Sequence, residues 1–248
     1  MTSLGGKVAL VMGGGTGIGA AIAETYASAG ASVVLTGRRP GPLAAVAGRI
    51  CAAGGSALAA CADVTRPAAM SDAVDAVLAR FGRLDIVVAN AGVQPWPGPV
   101  LDCSPGRWRE MLDINLTGIW NTARAAVPAL TAGGGGSIIV IGSGLARVSG
   151  AGSGAYAVAK AGASALTRVL AAELRAAGIA VKELIPGPTR TPGMGDGAER
   201  DEEAERRWSS AGEWLKDPEE VARLVLFIAS LPPHGTTGQV FSLAGRLL

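Results

Sequence analysis

Histidine is almost missing from this chain: His234, in a Pro-Pro-His-Gly turn, is the only one in 248 residues. That excludes a Ser-His-Asp triad and any multi-histidine metal site, so proton transfer has to use another base. Cysteine is scarce as well. Cys51, Cys61 and Cys103 are odd in number and lack a Cys-x-x-Cys spacing, which reads as reduced, largely buried thiols and not as a disulfide framework. Charge of one sign is also wanting: the formal net charge is +2 with basic and acidic residues intermixed, so neither nucleic acid nor a membrane surface is expected as a partner, and a small molecule is the default. No stretch reaches the ~18 uninterrupted apolar residues of a membrane span. The first apolar run ends in glycines after five residues, so no signal peptide is read and a cytoplasmic protein is expected.

What is present is a chain of 49% hydrophobic residues whose length suits one α/β domain. Short apolar runs at 7–12, 32–36, 57–60, 86–89, 137–141, 180–184 and 240–242 read as strands, fully apolar as buried parallel strands are. Between them the pattern predicts helices near 17–29, 40–53, 67–81, 104–131, 153–177 and 217–230, with starts at Ser104-Pro105, Asp217-Pro218 and Arg66-Pro67. The alternation predicts a doubly wound parallel sheet of about seven strands with helices on both faces and ligands at the carboxyl ends of the strands. Residues 193–216, charged and glycine-bearing, are far longer than an ordinary connection and read as a lid.

Two constellations carry chemistry. The apolar run Val8-Ala9-Leu10-Val11-Met12 enters Gly13-Gly14-Gly15-Thr16-Gly17-Ile18-Gly19 and then an alanine-rich helix. Glycines there let the backbone approach a pyrophosphate, and the free N–H groups at the helix start attract its charge. Further along, Tyr156 and Lys160 stand four residues apart on one helix face, thirteen residues after Ser143. A free tyrosine titrates near ~10, too high for exchange at neutral pH, and a close ammonium is expected to lower it. Ser143 can hydrogen-bond a substrate oxygen and hold it against the Tyr156 hydroxyl.

Gly13-x-x-x-Gly17-x-Gly19, Asn90-Ala91-Gly92, Asn115, Ser143, Tyr156-x-x-x-Lys160 and Pro186-Gly187 follow one another across nearly the whole chain, which in this respect resembles the classical short-chain dehydrogenase/reductase family, including its 3-oxoacyl-carrier-protein reductase branch. The resemblance implies a single-domain Rossmann fold over 1–248 and exchange of hydride between a nicotinamide nucleotide and a ketone or secondary alcohol, with Tyr156 as general acid/base. It places the cofactor on Gly13, Gly15, Thr16, Gly17, Ile18 and Gly19, with Asp63 and Val64 at the adenine edge and Asn90, Ala91 and Gly92 as a wall where glycine keeps a side chain off the cofactor. The loop carrying Pro186, Gly187, Thr189 and Thr191 receives the carboxamide. Lys160 also binds the nicotinamide ribose, and Asn115 holds a water that links Lys160 to solvent. Where NAD-preferring relatives carry an acid after the second strand, this chain has Gly37, Arg38 and Arg39, so NADP(H) is expected on Arg38 with help from Thr16 or Arg39, and NAD is the less favoured cofactor.

Candidate substrate contacts are Gln94, Trp96, Leu145, Arg147, Val148, Ser149, Met194, Trp208 and Trp214, and the tryptophans point to an apolar or aromatic carbonyl compound. The chain departs from the family pattern at Met12, where relatives usually have Thr, at Ala89 and Lys182, where they usually have Asn, and in the tail Ser242-Leu243-Ala244-Gly245-Arg246. The first two are expected to exchange a hydrogen bond for apolar packing. Rival readings are a carrier-protein reductase, disfavoured by Gly133-Gly134-Gly135-Gly136 where that branch is basic, and a non-catalytic NADP(H)-binding sensor, disfavoured by the complete Ser, Tyr and Lys set. An extended sugar epimerase needs a longer C-terminal domain. A homotetramer is expected, with a dimer as the alternative.

Overall fold

The computed structural model describes residues 3–94, 98–192 and 212–245. Seven parallel strands form one sheet in the order β3-β2-β1-β4-β5-β6-β7: β1 Val8–Met12, β2 Ser32–Gly37, β3 Ser56–Cys61, β4 Ile86–Ala89, β5 Gly136–Ile141, β6 Ile179–Ile185 and β7 Val240–Ser242. The helices are α1 Gly17–Ser28, α2 Pro40–Ala52, α3 Pro67–Phe81, α4 Pro105–Leu112, α5 Gly118–Ala132, α6 Gly154–Glu173 and α7 Pro218–Ser230. Alternation along β1 explains the layering. Ala9 and Val11 face a core made with α1, α2 and α7, while Val8, Leu10 and Met12 face one made with α3, α5 and α6. Each fully buried aliphatic side chain contributes about 1.5–3 kcal/mol, so the strand residues hold a helical layer against each face of the sheet.

Strand order reverses between β1 and β4, and the crevice of a doubly wound sheet opens at such a point, beyond the carboxyl ends. At the opposite ends of the same two strands, Asp85 joins them. Its carboxylate accepts hydrogen bonds from Val8 N at 3.0 Å, Lys7 Nζ at 3.2 Å, and Arg83 Nε and Nη2 at 2.8 and 2.6 Å. Burial opposes its charge, but Arg83, the Val8 amide and Lys7 outweigh it and hold the carboxyl below its ordinary value. The stabilisation is therefore present above the unfolded carboxyl's pKa and is lost as pH falls through the folded one. Asp85→Ala should cost about 2 kcal/mol in urea unfolding at neutral pH, less than a fully buried pair because Lys7 and Arg83 are half exposed.

Three expectations need correction. Cys51 and Cys61 are exposed and Cys103 is half-buried, because β3 is an edge strand and the other two lie on outer helical and loop surfaces. Not every strand is apolar: β6 carries Lys182 and Glu183, both fully buried, one on each face. Lys182 Nζ donates to Ile228 O at 3.2 Å and Glu183 accepts from Ser164, so partners on α7 and α6 make the burial tolerable. The helix expected at 104–131 is broken into α4 and α5 by a π-helical turn, Asp113–Thr117, of the kind that often marks functional sites. The expected lid falls mostly outside the described residues, as do Trp96, Met194 and Trp208.

Candidate active site

The first turn beyond β1 is shaped by contacts that only glycine permits. Gly13 (φ 68°) and Gly17 (φ 53°) adopt left-handed backbone. A Cβ on Gly19 would run into the Gly13 carbonyl, and one on Gly17 would meet Thr191 Cγ2 at 3.0 Å. The second contact brings the loop after β6 directly against the glycine turn. α1 begins at Gly17 with no acid in its first turn and no side-chain cap from Thr16, so its leading N–H groups are left for an anionic ligand.

Loss of Thr at position 12 does not leave the turn untied. Asn90 Nδ2 donates to Met12 O at 3.0 Å and Gly13 O at 3.3 Å, and Thr36 Oγ1 donates to Met12 Sδ at 3.2 Å. A hydrogen-bonded tie from the end of β4 thus stands where apolar packing was expected. Asp63, two residues beyond β3, has a carboxylate that accepts from Thr65 N at 2.9 Å and Thr65 Oγ1 at 2.8 Å. Partial burial pushes its pKa up, but the Thr65 bonds and the charges of Arg38 and Arg66 bring it below normal. Arg38 and Arg39 are exposed beside it. Val64 is buried, and its carbonyl accepts from Asn121 Nδ2 at 2.8 Å.

Asn115 sits in the π turn, fully buried, and exchanges hydrogen bonds with Val93: Val93 N donates to Oδ1 at 3.2 Å and Nδ2 donates to Val93 O at 3.4 Å. A Cβ on Gly92 would come within 2.8 Å of that Oδ1. Gly92 therefore makes room for Asn115, a reason the sequence did not show, while Asn115 fixes the wall formed by Asn90, Ala91 and Gly92.

Ser143 follows β5 and caps the short 3-10 turn Gly144–Ala146, accepting from Leu145 N at 3.3 Å. Its hydroxyl also lies close enough to the Tyr156 phenol to act on its ionisation. Lys160 Nζ lies 5.8 Å from the centre of the Tyr156 ring and donates to Ile141 O at 2.8 Å, so both side chains project from the same face of α6. The electrostatics differ from the expectation. Burial raises the Tyr156 phenol above its ordinary value, and only the Ser143 hydroxyl opposes it. Burial likewise pulls Lys160 down to about 8, with Glu183 acting upward. At 5.8 Å from the ring, and held on Ile141 O, the ammonium does not overcome desolvation of the phenol. Tyr156 is thus kept as a proton donor, the state a ketone oxygen needs. The other tyrosine, Tyr26, is a core residue beneath α7, donating to Val225 O at 3.4 Å.

The loop after β6 is braced from behind. Gly187 (φ 69°) has Lys216 Nζ where its Cβ would point, at 2.9 Å. Lys216, fully buried, lies 3.5 Å from the Trp214 ring centre, donates to Trp214 O at 3.0 Å and pairs with Glu213 at 3.7 Å. Glu213 Oε2 accepts from Gly245 N at 2.9 Å. Thr189 is buried and donates to Gly187 O at 3.2 Å, so its hydroxyl shapes the loop. Trp214 packs on this brace. Of the substrate candidates, Leu145 is half-buried two residues after Ser143, Arg147, Val148 and Ser149 are exposed in the segment that follows, and Gln94 is exposed after the Asn90-Ala91-Gly92 turn. A shallow cleft of about 520 Å³, lined by Gly98, Pro99, Val100, Ala151 and neighbouring glycines, opens beside the start of α6.

A short chain dehydrogenase family model matches residues 7–202. The chain belongs to the short-chain dehydrogenase/reductase family. Across 239 residues it is 35% identical to a cis-4-hydroxycyclohexanecarboxylate dehydrogenase from Sinomonas cyclohexanicum, covering 96% of this chain and 95% of that protein. A solved structure described as an NAD(P)-dependent gluconate 5-dehydrogenase from Beutenbergia cavernae, with bound NADP, superposes with a TM-score of 0.89 at 36% identity, over 98% of this chain and 97% of that one. A 3-ketoacyl-(acyl-carrier-protein) reductase from Brucella melitensis, complexed with NADH, superposes with a TM-score of 0.89 at 30% identity, over 98% of each chain. The family makes this chain an oxidoreductase, acting on the CH–OH group of an alcohol or the corresponding ketone with a nicotinamide nucleotide.

Its glycine turn fits that nucleotide: backbone crowding at Gly19 and the uncapped start of α1 leave a cradle for phosphate at the switch point. Among the described residues no helix is long and apolar enough to cross a membrane, and no group of three or more His, Cys, Asp or Glu could hold a metal ion.

Proposed function

We propose that this single-domain protein reduces a small apolar ketone, cyclic or aromatic, to its secondary alcohol with NADPH and catalyses the reverse oxidation with NADP. The observation that carries the reading is the grouping of Ser143, Tyr156 and Lys160 at the carboxyl end of β5: Lys160 Nζ lies 5.8 Å from the Tyr156 ring centre and donates to Ile141 O, two residues before Ser143. Bound nicotinamide nucleotide supplies or accepts the hydride. Ser143 holds the carbonyl oxygen, and Tyr156 gives it a proton as negative charge grows there. Lys160 offsets the charge left on the tyrosine oxygen and contacts the nucleotide ribose. Asn115 holds the wall against which the nucleotide packs, and the apolar lining of the cleft at 98–100 and 150–154 favours a substrate with few polar groups.

Arg38 supports the choice of NADP, since its exposed guanidinium can bind a 2′-phosphate with two parallel hydrogen bonds. Initial rates on a panel of cyclic and aromatic ketones with NADPH and NADH side by side test both halves of the proposal. Arg38→Glu should lower kcat/KM with NADPH at least about tenfold and leave that with NADH little changed. Equal losses with both nucleotides would overturn the 2′-phosphate role. Exposed apolar residues on α5 and α6, namely Trp120, Val158 and Val169, support a homotetramer, and we place the protein in the cytoplasm.

A further inference from the structure

Glu183 is a buried acid that the reaction as described does not use. It lies on β6 opposite Val140, 1% exposed, with its side chain turned toward α6. One carboxylate oxygen, Oε2, accepts from Ser164 Oγ at 2.7 Å and stands 3.7 Å from Arg147 Nη2. The other, Oε1, is buried and has no hydrogen-bond partner among the described residues. It occupies the space that a Cβ on Gly142 would fill, so the absence of a side chain at 142 is what admits it. Lys160 donates to the carbonyl of Ile141, the residue before Gly142, so ammonium and carboxylate converge on consecutive residues at one strand exit. Lys160 and Ser164 are also one helical turn apart on the same buried face of α6.

We propose that Glu183 is a positioning residue for the reaction, a buried counter-charge that keeps Lys160 cationic beneath Tyr156. A carboxylate oxygen left unbonded in the interior is costly unless a nearby cation compensates it. The candidates facing it are few. Arg147 approaches Oε2 from the segment after β5, and Arg168 Nη1 reaches only Ser164 Oγ, at 3.2 Å. Lys182 lies on the opposite face of β6, bonded to Ile228 O. Lys160, bonded to the carbonyl of Ile141 immediately before the Gly142 space that Oε1 fills, is the remaining buried cation at this strand exit. Burial alone drives its ammonium toward the neutral form, and Glu183 opposes that drift.

The proposal rests on the reading of Lys160 as the partner of Tyr156, but its test does not depend on turnover. The chain has four lysines, Lys7, Lys160, Lys182 and Lys216. In the nucleotide-free protein labelled with 13C at lysine Cε, each titration can be followed by NMR, with the Lys160 signal assigned by its loss in Lys160→Met. In Glu183→Gln, which preserves volume and removes charge, the Lys160 midpoint should fall by at least about one pH unit, while those of Lys7 and Lys182 stay in place. An unchanged Lys160 midpoint would overturn the proposal, whatever the activity. If Glu183→Gln does not fold, the 13Cδ signal of Glu183 in the unsubstituted protein decides. It should move at the Lys160 midpoint, and a flat signal there would equally defeat the idea. Failure of the functional proposal looks different: no ketone turned over, with the Lys160 shift intact.

Discussion

Tyr156→Phe should lower kcat for ketone reduction by about a thousandfold while leaving nucleotide binding almost unchanged. The substitution removes one oxygen, the one on which the neighbouring Ser143 acts, and keeps the ring that faces Lys160 on α6. Tyr26 cannot replace it, since it is fully buried in the core beneath α7. In the unsubstituted enzyme the pH dependence should have a definite sign. Because burial raises the phenol, it stays protonated through neutral pH, so reduction should hold steady there and decline only as alkaline pH removes the proton. Oxidation needs the same group as a base and should rise with pH. Rates in both directions across pH, with calorimetric titration of the nucleotide, check these statements. Near-normal turnover by the Phe variant would place the proton on another group.

The second large effect is expected at Gly19. Its backbone is not left-handed, so conformational freedom is not what glycine provides there. An added methyl would meet the Gly13 carbonyl and come within 2.6 Å of Asn90 Nδ2, the atom that ties β4 to the end of β1. Neither backbone can yield without moving the turn. Gly19→Ala should therefore weaken nucleotide binding by at least about 100-fold, the usual cost of ångström-scale displacement in a site, and destabilise the fold by about 1–3 kcal/mol through overpacking. Gly41→Ala is the matching control: it lies in α2 with nothing within 4 Å of its added Cβ, and should leave both properties unaltered. Calorimetric nucleotide titration and thermal unfolding of the two variants separate the cases. Tight binding by Gly19→Ala would remove the glycine turn from the proposed cofactor site.

Much of this was legible in the residues because it depends on local pattern. Apolar runs alternating with helical periodicity give the parallel sheet, and the glycine turn, the Ser143 exit and the Tyr156 helix are each short-range features of one segment. What was not legible depends on partners far away in sequence. Lys182 and Glu183 in a central strand contradict an apolar pattern until Ile228 on α7 and Ser164 on α6 are brought to them. Gly92 looked like clearance for a ligand, whereas its missing side chain accommodates Asn115 from a π turn that no periodicity announces. The exposed thiols of Cys51 and Cys61 depend on β3 being an edge, and strand order cannot be read from any single run. The upward shift of Tyr156 has the same origin, because desolvation measures everything packed around the phenol and the four-residue spacing to Lys160 reports only one neighbour.

The brace behind Gly187 has a consequence for distant substitutions. Gly245 is linked through Glu213 to Lys216, and Lys216 abuts the backbone that carries Thr191 toward the glycine turn. Gly245 and Glu213 are therefore masonry behind the loop that follows β6, and a change at either is felt at the Gly187 turn, far from both along the chain.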